Sequence, residues 1–189
     1  MKIGIYGGSF NPVHNGHLKV AEWILEKVKL DKIIWVPLYK PYHKEIFELE
    51  EPEHRYSMLK LALEEKNEYE ISTVEIDDKI ISYTLDTLLK IKKIYPDDEL
   101  YEIIGGDSAE TFHQWKDYEK ILENSKVLVY SRRGYKVKIS HNMELIDAPY
   151  LDISSTIIRD RIEEGKSISD LVPKKVEEYI YKNNLYRKR

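Results

Sequence analysis

Residues 3–6, Ile-Gly-Ile-Tyr, form an apolar run that leads straight into Gly7-Gly8-Ser9-Phe10-Asn11-Pro12-Val13-His14-Asn15-Gly16-His17-Leu18. A strand, a glycine-bearing turn and a helix in that order is a phosphate-binding layout. Backbone N–H groups of the turn and the helix start face an anion, and the helix dipole favours negative charge there. Gly7 and Gly8 let the backbone approach a phosphate with no Cβ between them. His14 and His17 stand three residues apart, so in the first turn of a helix both imidazoles share one face. There they are placed to donate hydrogen bonds to oxygens that gain charge in a transition state. Taken alone, a His-x-x-His pair reads as two surface histidines at a helix start or as half of a zinc site. No cysteine and no acidic residue at ligand spacing stands nearby to complete such a site, so no metal held by the protein is expected.

Apolar strand-like runs and helical patterns then alternate along the chain, which predicts a parallel sheet covered on both faces. After a strand at residues 2–6, the spacing predicts a helix over about 16–29 that buries Leu18, Ala21, Leu25 and Val28. Residues 33–36 read as a second strand ended by Pro37. Residues 37–53 read as a long polar loop carrying Lys40, Tyr42, His43 and Lys44, a place where function is often found. A helix over about 55–65 follows, then a strand over 69–76. Ser82 or Thr84 is a candidate N-cap for a helix running to about residue 95. Residues 100–104 read as a strand whose carboxyl end carries Gly105-Gly106-Asp107, where open α/β sheets bind ligands; Asp107 reads alternatively as a helix cap. Trp115 reads as core or interface material. Residues 127–130 and 143–146 are the last expected strands. Arg132 and Arg133, between them, receive no role beyond the surface or a ligand rim. Ile153-Ser154-Ser155-Thr156-Ile157-Ile158-Arg159 opens a helix whose first turn gathers three hydroxyls, where a cap needs one, and Arg159 is spaced to reach back over that turn. A final amphipathic helix carries Val176, Ile180 and Leu185.

Several of these strings carry a resemblance. Gly7 to Leu18 resembles the His-x-Gly-His signature of the nucleotidyltransferase superfamily, and in its fuller form the bacterial nicotinate-nucleotide adenylyltransferases. It is not a Walker A loop, since the Gly-Lys-Ser/Thr ending is missing. Residues 153–159 resemble the Ile-Ser-Ser-Thr-x-x-Arg signature of the same superfamily, some 140 positions further on. Ser82-Tyr83-Thr84-Leu85-Asp86-Thr87-Leu88 and Leu185-Tyr186 resemble segments of that family as well, so the likeness covers essentially the whole chain.

The resemblance implies a Rossmann-like α/β fold with a C-terminal helical segment, in one domain spanning 1–189. It implies transfer of the adenylyl group of ATP onto nicotinic acid mononucleotide, with Mg²⁺ accompanying ATP. His14 and His17 would be catalytic, and Gly7, Gly8, Ser9 and Phe10 would line the phosphates. Lys44, in a Pro-Tyr-His-Lys string where the family has Pro-Pro-His-Lys, would hold the mononucleotide phosphate. Thr84 and Trp115 would receive the nicotinate, and Gly105 and Asp107 the ribose. Ser154, Ser155, Thr156 and Arg159 would hold the departing pyrophosphate. Lys116 stands where the family often has tyrosine. Two rivals stay open: another superfamily member such as a phosphopantetheine adenylyltransferase, and a nucleotide-binding protein without turnover. A net charge of −4 gives no support for nucleic-acid binding. No apolar run is long enough to span a membrane and no leader pattern is present, so a cytoplasmic protein is expected. Self-association is compatible with the sequence.

Overall fold

The alternation resolves into a six-stranded, all-parallel sheet in the order β3-β2-β1-β4-β5-β6. The computed structural model describes residues 1–40, 49–79, 83–131, 139–149 and 151–187. Its strands are β1 (Lys2–Gly8), β2 (Lys32–Pro37), β3 (Tyr69–Ile71), β4 (Glu99–Gly105), β5 (Lys126–Ser131) and β6 (Met143–Asp147). Its helices are α1 (Asn15–Val28), α2 (Pro52–Leu63), α3 (Val74–Asp78), α4 (Thr84–Ile94), α5 (Gly106–Glu110), α6 (Tyr118–Asn124), α7 (Ser155–Glu163) and α8 (Lys174–Lys182), with a 3₁₀ turn at Phe112–Gln114.

Side chains alternate across each strand, so the sheet builds two cores. Tyr6, Ile33, Trp35, Tyr101, Ile103 and Leu128 face α1, α2, α7 and α8, which contribute Ala21, Ile24, Met58, Ile158, Val176 and Ile180. Ile3, Ile5, Ile34, Val36, Leu100 and Ile104 face α4, α5 and α6, which contribute Leu85, Leu88, Ile91, Ala109 and Ile121. Burial on both faces explains why these strands are near-continuous apolar runs. The strand order reverses between β1 and β4, and the crevice beyond their carboxyl ends is the expected ligand position in such sheets. β1 ends there on Gly7-Gly8 and β4 on Gly105.

Three local expectations change. β1 continues through Gly7 and Gly8, which pair with Val36 and Pro37, so the turn starts at Ser9. The buried face of α1 is Gly16, Val20, Ala21 and Ile24, while Leu18, Leu25 and Val28 are only partly covered. The expected strand over 69–76 stops at Ile71. From Val74 the chain turns into the five-residue α3, where the Thr73 hydroxyl donates to Asp77 Oδ2 at 2.6 Å. An apolar residue at every second or third position fits either element there, and a strand with one neighbour has only half the ladder bonds to decide it.

Candidate functional site

Side chains brace the turn after β1 from below: Phe10 is buried and Arg55 donates to the Ser9 carbonyl. Phe10 takes a left-handed φ of 44° and buries its ring, which stands 5.2 Å from His17 and 5.3 Å from Trp35, centroid to centroid. A Cβ on Gly8 would lie 3.1 Å from that ring, a tight approach that the buried ring would have to yield to. At Gly7 a Cβ would meet nothing within 4 Å, and this backbone is open to a ligand. The Phe10 side chain is therefore core, and any part it takes with a ligand belongs to its backbone.

His14 is the N-cap of α1 and forms a reciprocal capping box with His17. The His17 N–H donates to His14 Nδ1, and the His14 N–H donates to His17 Nδ1, each at 3.3 Å. The rings stack at 3.7 Å between centroids. Because each Nδ1 accepts a bond, each neutral ring carries its proton on Nε2, a tautomer assigned from the network. Capping thus aims two N–H donors from one helix end. Gly16 makes room for this: a Cβ there would sit 2.9 Å from His14 Nδ1.

The second hydroxyl-rich turn comes to the same place. Ser154 caps α7, accepting from the Ile157 N–H at 3.2 Å. Ser155 Oγ donates to the Pro12 carbonyl at 3.0 Å. Arg159 Nη1 donates to the Asn11 carbonyl at 3.0 Å, and its Nη2 donates to Thr156 Oγ1 at 3.4 Å. The three hydroxyls therefore have three separate partners, and the starts of α1 and α7 share one loop. Beside them lies a cavity of about 50 Å³ lined by Tyr6, His14, His17, Tyr130, Leu151 and Ile153 among others.

The β4 side joins through Tyr130. The Tyr6 hydroxyl donates to Tyr130 Oη at 3.3 Å. A Cβ on Gly105 would lie 3.4 Å from the Tyr130 hydroxyl and 2.5 Å from Asp107 Oδ1. A side chain at position 105 would therefore oblige the Asp107 carboxylate to move. Gly105 is also the cap position of α5, with no side-chain cap bond, so Asp107 does not cap. Nor does Thr84: Tyr83 is the N-cap of α4, without a side-chain bond, and Thr84 begins the helix. Lys116 Nζ stands 4.3 Å over the Tyr83 ring, which brings the Thr84 and Trp115 segments together. Trp115 is partly buried on Phe112, with centroids 5.2 Å apart. Lys44, Ser82, Arg132 and Arg133 lie outside the described residues.

Arg55 braces the turn beneath the candidate site, and spacing alone does not single it out. Fully buried, it donates to three carbonyls: Ser9 at 2.8 Å, Tyr39 at 3.0 Å and Glu50 at 2.9 Å. Burial pulls its pKa down, against the pull of nearby Tyr186 and the carboxylates of Glu51, Glu53 and Glu75. The available signal was its place on the apolar face of α2, three and four residues before the fully buried Met58 and Leu59.

Comparison with known proteins bears on this geometry. A profile of the Cytidylyltransferase-like family matches residues 5–161. The chain is 38% identical to a protein of Clostridium tetani named "Probable nicotinate-nucleotide adenylyltransferase", over 98% of this chain and 99% of that one. A protein of the same name from Bacillus licheniformis is 37% identical, over 98% of each chain. The fold resembles Plasmodium falciparum nicotinic acid mononucleotide adenylyltransferase complexed with NaAD, with a TM-score of 0.79 at 24% identity, covering 98% of this chain and 97% of that one.

Proposed function

We propose, for a chain that belongs to the cytidylyltransferase-like family and within it to the nicotinate-nucleotide adenylyltransferases, that it joins ATP to nicotinic acid mononucleotide in NAD biosynthesis. A 5′-phosphate oxygen of the mononucleotide attacks the α-phosphorus of ATP. The bond to the β-phosphate bridging oxygen breaks, pyrophosphate leaves with that electron pair, and nicotinic acid adenine dinucleotide forms. The nucleophile is already an anion, so no strong base or covalent enzyme intermediate is needed, and the protein aligns the reactants and offsets charge.

The observation that carries this reading is the shared loop. Ser155 and Arg159 of α7 bond the Pro12 and Asn11 carbonyls that lead into His14. A single triphosphate then spans both helix starts. His14 and His17 donate from Nε2 to the α-phosphate as its charge grows. Gly7, Gly8, Ser9 and the Phe10 backbone line the phosphates. Ser154, Ser155, Thr156 and Arg159 hold the β- and γ-phosphates and then the pyrophosphate. Lys44 holds the mononucleotide phosphate. Thr84 and Trp115 take the nicotinate, its carboxylate at the start of α4 and its ring on the indole. Gly105 and Asp107 take the ribose.

ATP enters with a divalent cation, which we assign as Mg²⁺; it neutralises charge on the triphosphate. Among the described residues, no group of three or more histidine or acidic side chains gathers to hold a metal. The donor set here fits an ion carried on phosphate oxygens and water. We read the chain as one domain acting in the cytoplasm, without nucleic acid. No helix among the described residues is long and apolar enough to cross a membrane.

The test is pyrophosphate release from ATP with nicotinic acid mononucleotide, its amide form or phosphopantetheine as second substrate. Release with the nicotinic acid form is expected. Release with phosphopantetheine alone, or ATP binding without release in every mixture, would replace this reading by one of its rivals.

A further inference from the structure

The segment after α8 runs beneath the phosphate site. Tyr186, in a left-handed conformation at φ 60°, is buried. Its hydroxyl donates to Asn11 Oδ1 at 3.0 Å, across 175 positions of sequence. Its backbone N–H donates to Glu50 Oε1 at 3.1 Å. The Glu50 N–H donates to the same Asn11 Oδ1 at 3.1 Å, and the Glu50 carbonyl takes Arg55 Nε. Asn11 is itself buried, and its main-chain carbonyl is the acceptor for Arg159. The side-chain amide of Asn11 is therefore pinned by two donors on one side of the residue, while its backbone positions the arginine on the other. Burial and Glu50 hold the Tyr186 hydroxyl protonated far above the usual tyrosine range, so its proton is always there to donate.

We propose that Tyr186 is a positioning residue for ATP: its hydroxyl fixes Asn11, and Asn11 sets Arg159 over the β- and γ-phosphates. This rests on the adenylyl-transfer reading above. Without the hydroxyl, Asn11 Oδ1 loses the donor from the C-terminal segment and keeps the Glu50 N–H. The loop that carries Asn11 and Pro12 is then free to shift relative to α7, and Arg159 loses its register. The nicotinate end of the mononucleotide side is given to Thr84 and Trp115, whose segments pack on the opposite face of the sheet from Tyr186. The loss should therefore fall on ATP alone.

Tyr186→Phe removes one oxygen and keeps the ring. Val176→Ala trims the core contact of α8 without touching Asn11 and serves as the stability control. For Y186F, KM for ATP should rise about five- to ten-fold, the scale of one net hydrogen bond. KM for nicotinic acid mononucleotide should stay within about twofold, and the rise in melting temperature given by ATP alone should shrink. V176A should lower the melting temperature while leaving the ratio of the two KM values unchanged. Unaltered ATP parameters in Y186F, or both KM values rising together as in a merely loosened fold, would overturn the assignment. A wild-type protein that releases no pyrophosphate with nicotinic acid mononucleotide would instead unseat the proposed reaction. The ATP-dependent melting shift of wild type against Y186F, which needs no second substrate, would then still decide the role of Tyr186.

Discussion

Replacing Glu102 by leucine should stabilise the protein, and by an amount that grows with pH. Glu102 sits mid-strand in β4 between Leu100 and Ile104, on the face that packs α4, α5 and α6, and is 5% exposed. Its Oε2 meets no hydrogen-bond partner among the described residues. Burial first, and the nearby Glu75 carboxyl second, push its pKa up to about 8 from an ordinary 4.5. A raised carboxyl pKa means that the unfolded chain releases its proton before the folded one does. Below about pH 4.5 both states are protonated and Glu102 sets no pH dependence. Between about 4.5 and 8 the unfolded state alone ionises, and folding stability falls by about 1.4 kcal/mol per unit; above about 8 the loss levels off. By neutral pH the loss is on the order of 3 kcal/mol, a large share of the 5–15 kcal/mol typical of a domain. Urea denaturation of wild type and E102L at about pH 5 and pH 8 reads the difference directly. The gap between the two proteins should widen by a few kcal/mol from the lower to the higher pH, and Glu102→Gln should remove the same slope while leaving a buried amide to be satisfied. A gap of equal size at both pH values would refute the reasoning, because a pure packing gain has no proton linkage.

His17→Ala should cut turnover by roughly 10²-fold or more, the scale of losing one oxyanion donor, with a much smaller effect on KM for ATP; steady-state pyrophosphate release checks it. Gly16→Ala should push the His14 ring aside, since the new Cβ would fall 2.9 Å from Nδ1. Turnover should drop at least about tenfold while the lost cap costs only about 1 kcal/mol of stability, a split that kinetics and thermal melting resolve together. Arg55→Met should cost about 3 kcal/mol or more in urea unfolding, because it strips donors from the Ser9, Tyr39 and Glu50 carbonyls at once. A loss below about 1 kcal/mol would mean that those carbonyls find other partners.

The sheet, its parallel sense and the two helix starts proposed to hold phosphate were legible because each is written locally: an apolar run, a glycine or hydroxyl turn, then helical spacing. The face shared by His14 and His17 follows from their three-residue offset, although the offset does not reveal that the rings cap one another. The length of β3 was misjudged because its alternation continues into α3, where the Thr73–Asp77 bond takes over. Arg55 escaped notice because a charged residue in a helix ordinarily reads as solvent-facing, and its three carbonyl partners lie on separate segments. Tyr186 stands in a family-like string, but its bond to Asn11 joins residues at opposite ends of the chain, which no local pattern shows. The hydroxyls of residues 154–156 show the reverse: three in a row signalled more than a cap, and the structure gives each its own partner.

The convergence of the two helix starts on one ATP is tested most directly by a crystal structure with a non-hydrolysable ATP analogue. The account predicts α-phosphate oxygens about 3 Å from the Nε2 atoms of His14 and His17. In the same molecule, the β- and γ-phosphates should lie on Ser155, Thr156 and the Arg159 guanidinium. A triphosphate that engages one helix start and leaves the other untouched would contradict it.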